Sequence, residues 1–131
     1  MKNSSKNKWN NTLLKYKQKS LEIISLSKSI RYVGIINYHG RTLTGKIRPG
    51  IKPLFSPNSV REEFFAIASV MKLREKSTKV LGQVEFILIN HKKTNILLFY
   101  KNGITYYITI NSKTKLELTL IKKIKKLITQ V

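Results

Sequence analysis

The stretch that most limits how this chain can fold is "VEFILINHKKTNILLFYKNGITYYITIN", residues 84–111. It holds three runs of β-branched, aromatic and leucine side chains, about 84–90, 95–101 and 104–111, separated by "HKKT" and by "NG". Asn-Gly is the strongest short hairpin signal, because a two-residue turn that matches strand twist requires positive φ at both of its central residues. The stretch therefore predicts three consecutive antiparallel strands. Three strands alone expose too much apolar surface, so the sheet must be extended and covered by the rest of the chain.

A second alternating stretch, "IRYVGIINYHGRTLTGKI", supplies the extension. It predicts strands over about 30–37 and 41–47 around a turn that ends at Gly40. Its second half has the glycine and lysine spacing of a phosphate-binding loop, with Gly40, Gly45 and Lys46 in place. That loop also needs a hydroxyl for magnesium and a helix that starts at once. Here the hydroxyl position is Ile47, Arg48-Pro49-Gly50 stops any helix, and the chain contains no aspartate to help hold the metal. A hairpin explains the residues better than a nucleotide site does.

Helical periodicity fills the gaps. Residues 1–9 are polar and lysine-rich and read as a disordered basic arm, leaving 10–131 as a single domain. A first helix is expected from Asn10 or Asn11 to about Ser27, with Leu13, Leu14, Leu21 and Ile24 inward. After the loop "RPGIKPLFSP", a second helix starts at Ser56-Pro57 or at a Ser59/Glu62 capping box and runs to about Lys79. Val60, Phe64, Ile67, Ala68 and Met71 share one of its faces, while Ala66, Val70 and Leu73 form a second stripe that Ser59 and Ser77 extend. One sheet needs only the first stripe, so the second requires a partner of its own. A last helix from about Lys115 places Leu116, Leu120, Ile121, Ile124, Leu127, Ile128 and Val131 on an arc of about 140°, opposite Lys115, Lys122, Lys123, Lys125 and Lys126.

The order α-β-β-α-β-β-β-α gives an α+β fold with a five-stranded antiparallel sheet. At 131 residues the chain can bury roughly two thirds of its unfolded surface without cross-links, and it has no cysteine. No secretory signal pattern and no run of roughly 18 apolar residues is present, so a soluble cytoplasmic protein is expected.

This pattern resembles the roadblock (dynein light chain) family of the profilin-like and longin-like group over about residues 12–130. The likeness is carried by "IRYVGIINYHGRTL" and by the helix followed by "LGQVEFILI". Among relatives the chain looks most like small archaeal proteins of roadblock type. The resemblance implies a non-catalytic adaptor or regulator that dimerises through the central helix and the strand after it, and that serves as a scaffold for a small Ras-like GTPase. Laid on the second stripe, it implies a homodimer interface at Ala66, Val70, Leu73, Val84 and Phe86. His39 stands where the family's hairpin turn often carries an acidic residue, so the resemblance does not extend to a partner contact there.

The charge points in a second direction. Lysine and arginine number 26 against 6 carboxylates, a net charge of +20 that favours polyanions. Lysine makes up most of the excess, beside abundant Ile and Asn, as A- and T-rich coding DNA would produce. Such drift does not explain the scarcity of carboxylates. The alternative function is therefore a basic protein that associates with nucleic acid without sequence preference, using Lys115, Lys122, Lys123, Lys125 and Lys126. Catalytic, metal and cofactor sites are not expected. His39 and His91 fall in turns, Glu62 and Glu63 read as first-turn charges on the helix dipole, and Tyr106 and Tyr107 read as sheet packing.

Overall fold

A computed structural model describes residues 2–112 and 116–130. The elements are α1 (Lys2–Ile24), β1 (Ile30–Ile36), β2 (Thr42–Ile47), α2 (Pro57–Glu75), α3 (Thr78–Leu81), β3 (Ile87–Asn90), β4 (Thr94–Lys101), β5 (Ile104–Asn111) and α4 (Leu118–Thr129). The strands form one antiparallel sheet in the order β2-β1-β5-β4-β3. The expected α+β class and element order are thus present, with α3 as an added turn of helix.

Two of the three hairpin turns show the chemistry that their residues dictate. Asn102 and Gly103 have φ of 52° and 78°, the positive values that a tight Asn-Gly hairpin requires. In the β1–β2 turn the Asn37 side-chain oxygen accepts the backbone N–H groups of His39 and Arg41, each at 2.9 Å.

The two glycines of the phosphate-loop spacing are explained by packing. Gly40 has a φ of 88°, and a Cβ there would lie 2.9 Å from the Phe65 Cα. Gly45 pairs with Gly34 across the β1–β2 ladder, and the Tyr32 ring lies over the pair. A Cβ on Gly45 would sit 2.5 Å from the Tyr32 hydroxyl. "GRTLTGKI" is therefore a hairpin turn and strand, and its glycines make room for aromatic side chains.

The sheet is covered on both faces. On one, α1 and α4 lie over Val33, Ile35, Leu97, Phe99, Tyr106, Ile108 and Ile110, closing them with Ile23, Ile24, Ile121, Ile124 and Ile128. On the other, α2 sets Phe64, Ile67 and Met71 against Ile36, Ile96, Leu98 and Tyr107. The expected inward stripe of α2 is the buried one, with Val60 half-buried at its start. Of the two proposed starts the structure uses Ser56, whose hydroxyl accepts the Ser59 N–H at 3.3 Å with Pro57 in the first turn.

Several boundaries differ from expectation. α1 is helical from Lys2, where a disordered arm over residues 1–9 was expected; residues 5–11 of this extension are all exposed. The inward face of α1 is also rotated. Ile24 is buried and Leu13 half-buried as expected, but Leu14 and Leu21 are exposed and Ser20 and Ile23 are buried instead, with the Ser20 hydroxyl bonded back to the Lys17 carbonyl at 2.7 Å. α2 stops at Glu75 and α3 at Leu81, before Gly82 turns the chain with a φ of 81°. Strand β3 begins at Ile87, three residues later than Val84. Among the proposed residues of α4, Lys115 and Val131 lie outside the described residues.

Candidate protein interface

The second stripe of α2 points away from the sheet. Ala66 is exposed, Val70 is 41% exposed and Leu73 is 54% exposed, while Ile67, Ala68 and Met71 beside them are buried. Beyond the helix end, Val80 and Leu81 of α3 are exposed as well, at 86% and 72%. Apolar side chains thus run along α2 and α3 over several turns. Exposed apolar patches of this kind mark interaction surfaces, since water orders around them at a free-energy cost that a partner removes.

Strand β3 is an edge strand: it pairs with β4 and has no neighbour on its outer side. Its outer N–H and C=O groups form a template for another strand. Ile87 and Ile89 turn toward α2, and Leu88 faces the α1/α4 side with 41% exposure. The stripe and the edge thus belong to adjoining parts of the fold, linked by α3 and residues 82–86.

The two remaining residues expected at this interface are placed differently. Val84 is half-buried before the strand, in a recess it shares with Met71, Thr78 and Tyr100. Phe86 also precedes the strand, and its ring tilts against Phe99 with centroids 6.4 Å apart, on the α1/α4 face of the sheet. The ladder with β4 begins at Ile87, and Glu85 before it forms an ion pair with Lys125 of α4. Ala66, Val70 and Leu73 are therefore brought together on one face, Val84 lies beside the α2–α3 junction, and Phe86 packs on the other side of the sheet.

The charges of α2 are structural in part. Glu63 lies beyond the first turn and accepts a hydrogen bond from the Tyr107 hydroxyl at 3.0 Å; Glu75 accepts one from Tyr100. Neither Glu62 nor Glu63 is a first-turn charge, which corrects the reading from sequence. Burial and the neighbouring Glu63 raise the Tyr107 pKa well above that of a free phenol. Tyr106, on the opposite face, is pushed up to about 12 by burial and by Tyr16. Both tyrosines are buried in the sheet and offer no stacking platform.

Arg48 shows how far the scarce arginines are committed to structure. Its guanidinium donates to the carbonyls of Ile30 at 2.7 Å, Ile24 at 2.5 Å and Ser27 at 2.7 Å, capping the end of α1, which has no basic residue in its own last turn. An apolar cavity of about 320 Å³ lies beneath residues 51–55, lined by Tyr32, Ile47, Leu54, Phe55, Phe64 and Tyr107. Arg31 reaches its rim, with Nε buried and unpartnered among the described residues and Nη2 3.4 Å from the Lys52 carbonyl. Among the described residues no group of three His, Cys, Asp or Glu side chains is placed to hold a metal. No described helix is long and apolar enough to cross a membrane.

Neither a protein-family model nor a curated protein matches the sequence. Solved structures do match. A Roadblock/LC7 domain from Streptomyces avermitilis superposes with a TM-score of 0.64 at 9% identity, over 85% of this chain and 89% of its own. The gliding protein MglB from Thermus thermophilus gives 0.65 at 13% identity, over 83% and 78%. A structure described as MglB with tetrameric arrangement gives 0.65 at 15%, over 83% and 78%. The chain has the roadblock fold.

Proposed function

We propose that the protein is a non-catalytic, homodimeric adaptor whose outer α2 stripe and β3 edge meet the same surfaces of a second copy. The observation that carries this reading is the exposed run Ala66, Val70, Leu73, Val80 and Leu81 beside an unpaired strand edge. Small residues at Ala66 and Ser59 let two helices approach closely, and paired β3 edges would satisfy the outer hydrogen-bonding groups. An isologous contact is the commonest solution for one self-complementary patch. The matched structure with a tetrameric MglB arrangement supports self-association as a use of this fold. By the family resemblance, the partner of the assembled dimer is a small Ras-like GTPase.

Placing a charge in the centre of the stripe tests the dimer. A buried unpaired carboxylate costs several kcal/mol, enough to dissociate a dimer of roughly micromolar affinity, which is held by about 8 kcal/mol. Val70→Glu is expected to give a folded monomer by light scattering, with the wild type a dimer under the same conditions. A monomeric wild type at high micromolar concentration refutes the reading, and so does a Val70→Glu variant that remains dimeric.

A further inference from the structure

The helices on the two faces of the sheet carry different charge. From Ser5 onward α1 has five lysines and one glutamate, and α4 has four lysines and no acid. α2, of similar length and exposure, has Arg61, Lys72 and Arg74 against Glu62, Glu63 and Glu75, and is balanced. Compositional drift toward lysine acts on every exposed position alike. It does not account for nine basic residues to one acidic on α1 and α4 and parity on α2.

We propose that the outer surface of the α1/α4 layer is a docking face for double-stranded nucleic acid, read through its phosphates and without sequence preference. α1 and α4 pack side by side. Lys6, Lys8, Lys15 and Lys17 are exposed on α1, as are Lys122, Lys123 and Lys126 on α4. Among the described residues only Lys19 and Lys125 of this layer are ion-paired, with Glu22 and Glu85. A groove of about 670 Å³ lies between α1, the β4–β5 turn and the end of α4; its polar lining holds Lys15, Gln18, Lys19, Lys101, Asn102 and Gln130 with one carboxylate, Glu22.

Dimensions and chemistry favour a duplex. At about 1.5 Å per residue, α1 is roughly 35 Å long, close to the roughly 34 Å of one duplex turn. Asn7, Asn10, Asn11 and Gln18 are exposed among the lysines and can donate to phosphate and sugar oxygens. Neither helix contains arginine, the residue that reads guanine edges in bidentate fashion, so the contact tracks the backbone. An anionic membrane fits less well. The apolar side of α4 that would enter lipid is used up in the core, with Ile121, Ile124 and Ile128 at 7%, 0% and 4% exposure.

The proposal is independent of the dimer, because the basic layer and the α2 stripe lie on opposite faces of the sheet. The test compares the full-length chain with two charge-matched variants, each losing six lysines to glutamine. One changes Lys8, Lys15, Lys17, Lys122, Lys123 and Lys126. The other changes Lys52, Lys72, Lys76, Lys79, Lys92 and Lys93, away from the face. Binding is followed by fluorescence anisotropy with a random-sequence DNA duplex across a salt series, and by co-sedimentation with phosphatidylserine-containing vesicles. The face variant should bind the duplex at least about tenfold more weakly and lose about 0.9 from the log–log salt slope for each phosphate contact removed. The control should keep most of the affinity. Equal loss in both variants overturns the proposal by making net charge the sole cause. Absence of duplex binding at low salt overturns it too, as does binding to vesicles without binding to DNA.

Discussion

The two faces of the sheet are closed in opposite ways. Under α1 and α4 lies the broader core, thirteen buried residues from Ile23 to Ile128, and above it a surface of lysine and amide side chains. Under α2 the core is smaller, seven buried residues, and the outer side of the helix is apolar and electrically balanced. A helix that has satisfied one sheet face needs no second apolar stripe. The second stripe on α2 and the excess lysine on α1/α4 thus give the two outer surfaces opposite character, one apolar and one cationic.

The largest expected effect separates core from surface within this comparison. Ile124→Ala, fully buried beneath α4, should lower the unfolding free energy by about 2–5 kcal/mol through lost burial and a residual cavity. Leu73→Ser, on the outer stripe of α2, should change monomer stability by less than about 0.5 kcal/mol while weakening association. Urea unfolding at concentrations below the dimer dissociation constant measures both, since association would otherwise add to the apparent stability. A Leu73→Ser monomer destabilised as much as Ile124→Ala would mean that the stripe is core.

Arg48 joins the α1 side to the β1–β2 hairpin, and its loss should rank next. Arg48→Ala leaves the carbonyls of Ile24, Ser27 and Ile30 without their charged donor, at a cost of about 2–4 kcal/mol. Arg48→Lys should recover only part of this, because an ammonium cannot donate in a fixed planar fork. Thermal unfolding of the three proteins reads the order directly, and equal stability of Arg48→Ala and wild type would refute the capping role.

The smallest effect is alkaline and distinguishes the tyrosines of the two faces. Tyr106 and Tyr107 hold their protons more tightly folded than unfolded, where a phenol titrates near 10. Their contribution to stability is therefore complete below about pH 10 and is lost as pH rises through the folded values, about 12 for Tyr106 and higher for Tyr107. The urea midpoint should fall between about pH 10 and about pH 12, and Tyr107→Phe should flatten this fall more than Tyr106→Phe. An identical slope in Tyr107→Phe and wild type would show that neither burial nor the Glu63 contact raises the proton affinity of Tyr107.

Much of this fold was legible because its signals are local. Asn102-Gly103 specifies its own turn, the alternation in 104–111 specifies its strand, and the inward stripe of α2 follows from helical spacing. What sequence reasoning missed depends on distant partners. The face of α1 is chosen by packing, which buries Ser20 and exposes Leu14 and Leu21, and no local rule ranks serine above leucine for burial. Strand β3 begins three residues later than its apolar run, and the contact of Glu85 with Lys125, forty residues away in sequence, has no local signal. Glu63 looked like a helix-terminal charge, but its partner Tyr107 lies on the sheet, and Arg48 gave no sign of its three carbonyls. At the interface, Ala66, Val70 and Leu73 were readable from periodicity, while Val84 and Phe86 were placed on a strand that begins only at Ile87.

The most direct test of the α2 interface uses the absence of cysteine from the chain. Val70 on α2 and Leu21 on α1 are almost equally exposed, 41% and 42%, so single cysteines at these positions differ in face and not in access. In a dimer joined through α2, Val70→Cys should form a disulfide-linked dimer rapidly and at low micromolar concentration under mild oxidation, and Leu21→Cys should remain monomeric on a denaturing gel. Equal cross-linking of the two variants, or none at Val70→Cys and at Leu73→Cys one turn along, would contradict the account.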